Sequence, residues 1–80
     1  MKLIVAIVGE DDADQVVEAL VEQEFRTTRI NTAGGFFKKG NATLLIGVED
    51  ERADAALEIL NLRTRTATTF VLPVDRYERL

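Results

Sequence analysis

Between Phe25 and Val48 the chain carries Arg26, Arg29, Lys38 and Lys39 and no acidic residue, although its net charge is -4. The segment is a local positive island in an acidic protein. Gly34-Gly35, Phe36-Phe37, Gly40-Asn41 and Gly47 also fall within it. Each residue type suits one part of a phosphorylated, base-containing ligand. An arginine fork matches phosphate oxygens, and glycines let an anion reach backbone N–H groups. A flat ring stacks on a base for about 1–3 kcal/mol. The amide of Asn41 offers a donor and an acceptor together.

Each of these residues also has a plain structural use. Gly34-Gly35 serves any turn, and consecutive Phe residues in extended chain point to opposite sides, so one enters a core while the other faces out. Arg26 and Thr28 share a strand face by their spacing, where an arginine can simply meet a helix carboxylate. Gly47 is harder to explain structurally. It interrupts an apolar strand, and glycine there marks a close approach by a ligand or another backbone.

The 80 residues contain no His, Cys, Trp or Ser. Thiol and imidazole zinc sites and Ser/His/Asp or Cys/His nucleophiles are therefore out of reach. The remaining carboxylates, Lys, Thr and Tyr77 show no spacing that pairs a nucleophile with a base. No catalytic or metal-ligating residue is assigned and no cofactor is expected. The acidic run Glu10–Asp14 lacks the calcium-loop pattern and reads as a solvated helix start. Absence of Cys fits a reducing, cytoplasmic setting. The apolar opening Leu3–Val8 is far shorter than the ~20 residues of a membrane span and reads as a buried strand, so no membrane role is expected.

The elements that must position these residues follow from periodicity. Leu3–Val8 is an apolar, β-branched strand. Asp11 or Asp12 is placed to cap a helix over 12–24, with Ala13, Val16, Val17, Leu20 and Val21 at helical spacing. Phe25–Thr32 reads as a second strand with 26, 28, 30 and 32 on one face. Gly34–Asn41 is a turn region and Ala42–Val48 a third strand. Asp50 caps a second helix with an Ala53, Ala56, Leu57, Leu60 stripe. The connection Asn61–Ala67 leads to a last strand, Thr68–Val74, with Pro73 suggesting an edge or an irregular strand end. One domain, 1–80, results. Its class is α+β with the ferredoxin-like order βαββαβ, an antiparallel four-stranded sheet with two helices on one face. Three strands are apolar on both faces, and two helices cover only one. Other subunits are expected to cover the second face, since so large an apolar patch is seldom left bare.

The chain resembles the PII-like cyclic di-AMP receptors of the PstA/DarA type over nearly its whole length. The likeness runs through Met1–Val8 and Ala19–Glu22, is densest at Phe25–Arg29, Gly34–Phe36, Gly40-Asn41 and Leu45–Asp50, and resumes at Ala67–Asp75. The resemblance implies a homotrimer with ligand sites between neighbouring subunits, cyclic di-AMP as ligand, and a signal relayed to a protein partner by loop rearrangement. Carried over residue by residue, its ligand contacts fall on Arg26, Thr28, Gly35, Phe36, Phe37, Asn41, Gly47 and Phe70, the last added by the resemblance alone. Phe37 stands where the family usually has Leu, and Arg79 where it usually has Gln near the C-terminus, so Arg79 joins the candidate set. The long, ligand-responsive loop before the last strand shrinks here to Asn61–Ala67.

Three alternatives stand beside a nucleotide receptor. A PII-like trimer could take another adenine nucleotide or, having lost its ligand, serve as a structural scaffold. Single-strand RNA binding fits a sheet bearing Phe and Lys, but the acidic total and the missing motif speak against nucleic acid. An acylphosphatase-like enzyme needs a phosphate-cradling loop after the first strand, where Glu10-Asp-Asp12 repels phosphate.

Overall fold

The computed structural model describes residues 1–31 and 40–80. Seven elements follow one another: β1 (Lys2–Gly9), α1 (Glu10–Glu22), β2 (Arg26–Asn31), β3 (Asn41–Val48), a 3-10 turn (Asp50–Arg52), α2 (Ala53–Arg63) and β4 (Ala67–Pro73). The sheet is antiparallel, in the order β2-β3-β1-β4. This is the expected ferredoxin-like α+β arrangement, with two helices against one face. Pro73 lies on an edge strand, where its missing N–H costs no ladder bond.

Strand alternation sorts the side chains. Ile4, Ala6 and Val8 of β1 pair in register with Ile46, Leu44 and Ala42 of β3, and all are buried. Onto them pack Ala13, Val16 and Leu20 of α1 and Ala56 and Leu60 of α2. Ala53 and Leu57 lie half-buried beside them, completing the expected α2 stripe. Leu3, Val5, Ile7 and Leu45 point the other way and are only half-buried.

Two expected caps are not made. The helix α1 begins directly at Glu10, with Gly9 as its cap residue and no side-chain cap bond. The chain turns from β1 into the helix without a linker, and the Glu10 N–H donates to the Gly40 carbonyl at 2.7 Å instead. Gly40 holds φ +95°, a left-handed conformation that favours glycine. Asp12, buried inside the helix, accepts from the Arg65 backbone N–H at 3.1 Å and faces the Arg65 Nε at 3.6 Å. Asp50 likewise does not cap α2. It lies in the 3-10 turn and pairs with the Met1 ammonium at 2.9 Å.

The helix α2 runs on to Arg63, so the link to β4 is shorter than 61–67. It is pinned on both sides of Thr64: Gln15 Nε2 donates to the Arg63 carbonyl at 3.1 Å, and Asp12 holds Arg65.

Candidate functional site

The groove at one end of the open sheet face is built by the turn from α1 into β2. Gln23 caps the helix C-terminus and Glu24 takes φ +63°. The Glu24 N–H donates to the Val21 carbonyl, the Phe25 N–H to that of Leu20, and Phe25 joins Leu20 in the core. This is a Schellman closure with glutamate in the position that usually belongs to glycine. Arg52 adds a brace. Its Nη2 donates to the Gln23 carbonyl at 2.9 Å, and its guanidinium lies 4.1 Å from the Phe25 ring centroid. The turn is held from both sides, and β2 starts at Arg26 in a set orientation.

From there the register decides the site. Arg26 pairs with Gly47, Gly47 with Leu3, and Leu3 with Leu72. The next row on the same face is Thr28, Leu45, Val5 and Phe70. Arg26, Thr28 and Gly47 line a groove of about 600 Å³ with Leu3 and Leu45 beneath. That volume falls within the roughly 300–1,000 Å³ of small-molecule sites. Phe25, Arg52 and Tyr77 wall it. Among the described residues, a Cβ built on Gly47 would meet no atom within 4 Å. Packing against those residues therefore does not demand glycine there. Its effect is to leave the groove floor flat, next to a guanidinium.

The other candidates divide. Phe70 is on the same face, 51 % exposed, but three strands from Thr28 and outside the groove lining. Asn41 also shares the open face, opposite Gly9 at the far end of β3. Six residues of strand put it about 20 Å from Gly47. Arg79 is exposed in the tail, two residues past Tyr77, and does not line the groove. Gly35, Phe36 and Phe37 lie outside the described residues.

Electrostatically the groove is mixed. Arg26 and Arg52 bring charge without a described carboxylate partner at salt-bridge range. Arg29, on the opposite face of β2, pairs instead with Asp14 of α1. At the rim the Met1 ammonium, by hydrogen bond and charge, holds the Asp50 carboxyl below the usual carboxylate range. Among the described residues no cluster of three or more His, Cys, Asp or Glu side chains could hold a metal ion. The groove suits an anionic, partly apolar ligand: guanidinium and hydroxyl on one side, a bare glycine and Leu residues beneath, aromatic rings at the margin.

Phe25, Arg52 and Tyr77 were not among the residues singled out in the sequence. Arg52 stands alone in the acidic stretch Glu49–Asp54, a local signal that the charge has a use. Its partner across the groove is set only by the tertiary fold.

The family model of the cyclic-di-AMP receptor matches residues 1–79. The chain belongs to the cyclic-di-AMP receptor family. It is also similar to a solved structure, the crystal structure of a functionally unknown protein from Pediococcus pentosaceus ATCC 25745. The two are 36% identical, the match covers 99% of this chain and 96% of that one, and the TM-score is 0.86. Membership in a receptor family points to a nucleotide-binding protein rather than an enzyme, with cyclic di-AMP the ligand the family name implies.

Proposed function

We propose that this cyclic-di-AMP receptor is a cytoplasmic homotrimer that binds cyclic di-AMP in clefts between neighbouring subunits and serves in signal transduction. The pairing of Arg26 with Gly47 in a single groove carries the reading. Arg26 meets a phosphate with its planar fork, Thr28 adds a hydroxyl, and the unsubstituted Gly47 leaves room for the ligand. Phe70 offers a ring to an adenine. Gly35, Phe36 and Phe37 are taken as further phosphate and base contacts, and Arg79 replaces a Gln with a cation.

The separation of Asn41 from Gly47 supports an assembly. In this reading the Asn41 end of one subunit completes the groove of its neighbour and reads the base edge. The apolar open face supports it too: Phe70 and Leu72 are about half exposed on one chain. Sheet packing between subunits would cover them.

One feature favours a second reading. The link from α2 to β4 is short and pinned through Asp12, which leaves no long segment there to relay a signal. A trimer of this kind could take another adenine nucleotide or act as a scaffold.

Isothermal titration of the protein with cyclic di-AMP, with cyclic di-GMP and ATP as controls, separates these. The expected result is selective binding of cyclic di-AMP near one ligand per subunit. Heat with ATP alone means changed specificity, and silence with all three means a scaffold. Sedimentation of the same sample reads the trimer independently.

A further inference from the structure

The C-terminal tail leaves the sheet at the end that carries Gly47. Pro73, the last residue of β4, pairs with Lys2, the first of β1. One step on, the Val74 N–H donates to the Met1 carbonyl at 3.0 Å, and the Met1 ammonium is itself tied to Asp50 at 2.9 Å. The root of the tail is therefore fixed at the groove rim. A few residues later stands Tyr77, which lines the groove together with Arg26, Thr28 and Gly47. Arg76 and Glu78, on either side of it, pair with each other.

Among the described residues two aromatic rings line this groove, and they are not equivalent. Phe25 is buried in the core, and the Arg52 guanidinium lies over its ring. That face is already taken. Tyr77 is 62 % exposed. It belongs to no core, and its ring has area to give to a flat group lying in the groove. A guanidinium and a glycine floor are at hand for the charged part of the same ligand.

We infer that Tyr77 is a base-stacking residue of this groove, taking one adenine of the cyclic dinucleotide on its ring while Arg26 takes a phosphate. This rests on the cyclic di-AMP reading, and the chemistry of that ligand calls for it. Its adenines are two, joined through two phosphates, so one ring cannot serve both. Phe70 lies outside the groove lining, whereas Tyr77 supplies a ring within it. A wall that only kept water out could be any apolar side chain. Stacking needs a π-face, and it adds affinity for any base.

The chain has one Tyr and no Trp, so its tyrosine fluorescence comes from Tyr77 alone. The unmodified full chain is titrated with cyclic di-AMP, and the fluorescence lifetime should shorten in step with the heat seen by calorimetry. A lifetime, unlike an intensity, is not altered by the nucleotide's own absorption. By calorimetry Tyr77→Ala and Tyr77→Leu should each lose on the order of tenfold in affinity. Tyr77→Phe keeps the π-face and should stay within about threefold of the parent. Tyr77 is exposed, so circular dichroism and sedimentation of the three variants should match the parent. Should a variant fail either check, the lifetime titration of the unmodified chain decides. Binding with an unchanged lifetime overturns the inference. So does full affinity in Tyr77→Ala or Tyr77→Leu, or a loss in Tyr77→Phe as large as in Tyr77→Ala. In each of those cases the parent still binds, and the receptor reading stands. No heat from the parent removes the cyclic di-AMP reading and the role of Tyr77 with it.

Discussion

The two faces of the sheet are made by the same strands and do opposite things. On the helical face Ile4, Ala6, Leu44 and Ile46 are completely buried within one chain. One residue along, Leu3, Val5 and Leu45 are half-buried, while Phe70 and Leu72 of β4 are about half exposed. Both rows are apolar. What separates them is the helices, which pack on the first face only. The first face stabilises the subunit, and the second is the one that the proposed assembly would cover.

The contrast can be broken most directly by truncation. Leu44→Ala removes fully buried methyl groups and should cost about 2–5 kcal/mol in urea unfolding. Phe70→Ala at low protein concentration should cost well under half of that, since its ring still meets water. If the two variants lose equal stability in the monomer, the division between faces is wrong. At high concentration Phe70→Ala should instead show its loss in the assembled state, read by sedimentation.

Next in size are changes in the groove. On the proposed assignment, Arg26→Ala deletes a charge-assisted phosphate contact of about 1.5–3 kcal/mol, for an expected loss of roughly ten- to a hundredfold in cyclic di-AMP affinity. Thermal stability should move little. Gly47→Leu sharpens the comparison further. No described residue would touch the new Cβ, so the fold should tolerate it while titration with cyclic di-AMP shows binding abolished. Retained binding in both variants would remove this groove from consideration.

Smaller still is the turn that aims β2. Glu24 sits at φ +63°, where an L side chain is strained by about 1–2 kcal/mol. Glu24→Gly relieves that at the expense of unfolded-state freedom, for a net gain of about 0.5–1 kcal/mol in thermal or urea unfolding.

The slightest effect concerns acid. The Asp50 carboxyl is lowered in the fold by its hydrogen bond and charge interaction with the Met1 ammonium. A depressed carboxylate contributes stability above its unfolded pKa and loses it as pH falls through the folded value. Asp50→Asn should therefore narrow the stability difference between neutral and acid pH without changing the slope elsewhere. Both groups are near solvent, and added salt should reduce the effect.

Much of this organisation was legible in the residues. The apolar, β-branched runs of β1, β3 and β4 and the helical stripes gave the element order, with bounds off by one to three residues, most at the end of α2. Period-two spacing placed Arg26 and Thr28 on one face, and the interrupted apolar run singled out Gly47. The misreadings share a cause. Asp11 or Asp12 and Asp50 looked like helix caps because a local rule was applied where distant partners decide. Gly40 serves the α1 terminus, Arg65 claims Asp12, and Met1 claims Asp50. Asn41 was read as the last residue of the turn region, whereas it opens β3, and its distance from Gly47 depends on strand length and register. The walls Phe25, Arg52 and Tyr77 come from three separate stretches, so no local pattern brings them together, although Arg52 alone among acids was a signal in itself.

One feature of β4 carries further. The strand is held by β1 alone, and Phe70, Val71 and Leu72 are each substantially exposed, although they alternate between faces. A strand with one neighbour and few buried contacts opens at lower free energy than the rest of a domain. Amide exchange in an isolated subunit should therefore be fastest there among the four strands. In an assembly that covers the sheet, the same amides should slow. The last strand is thus a built-in gauge: its exchange rate against protein concentration would report subunit association with no added label.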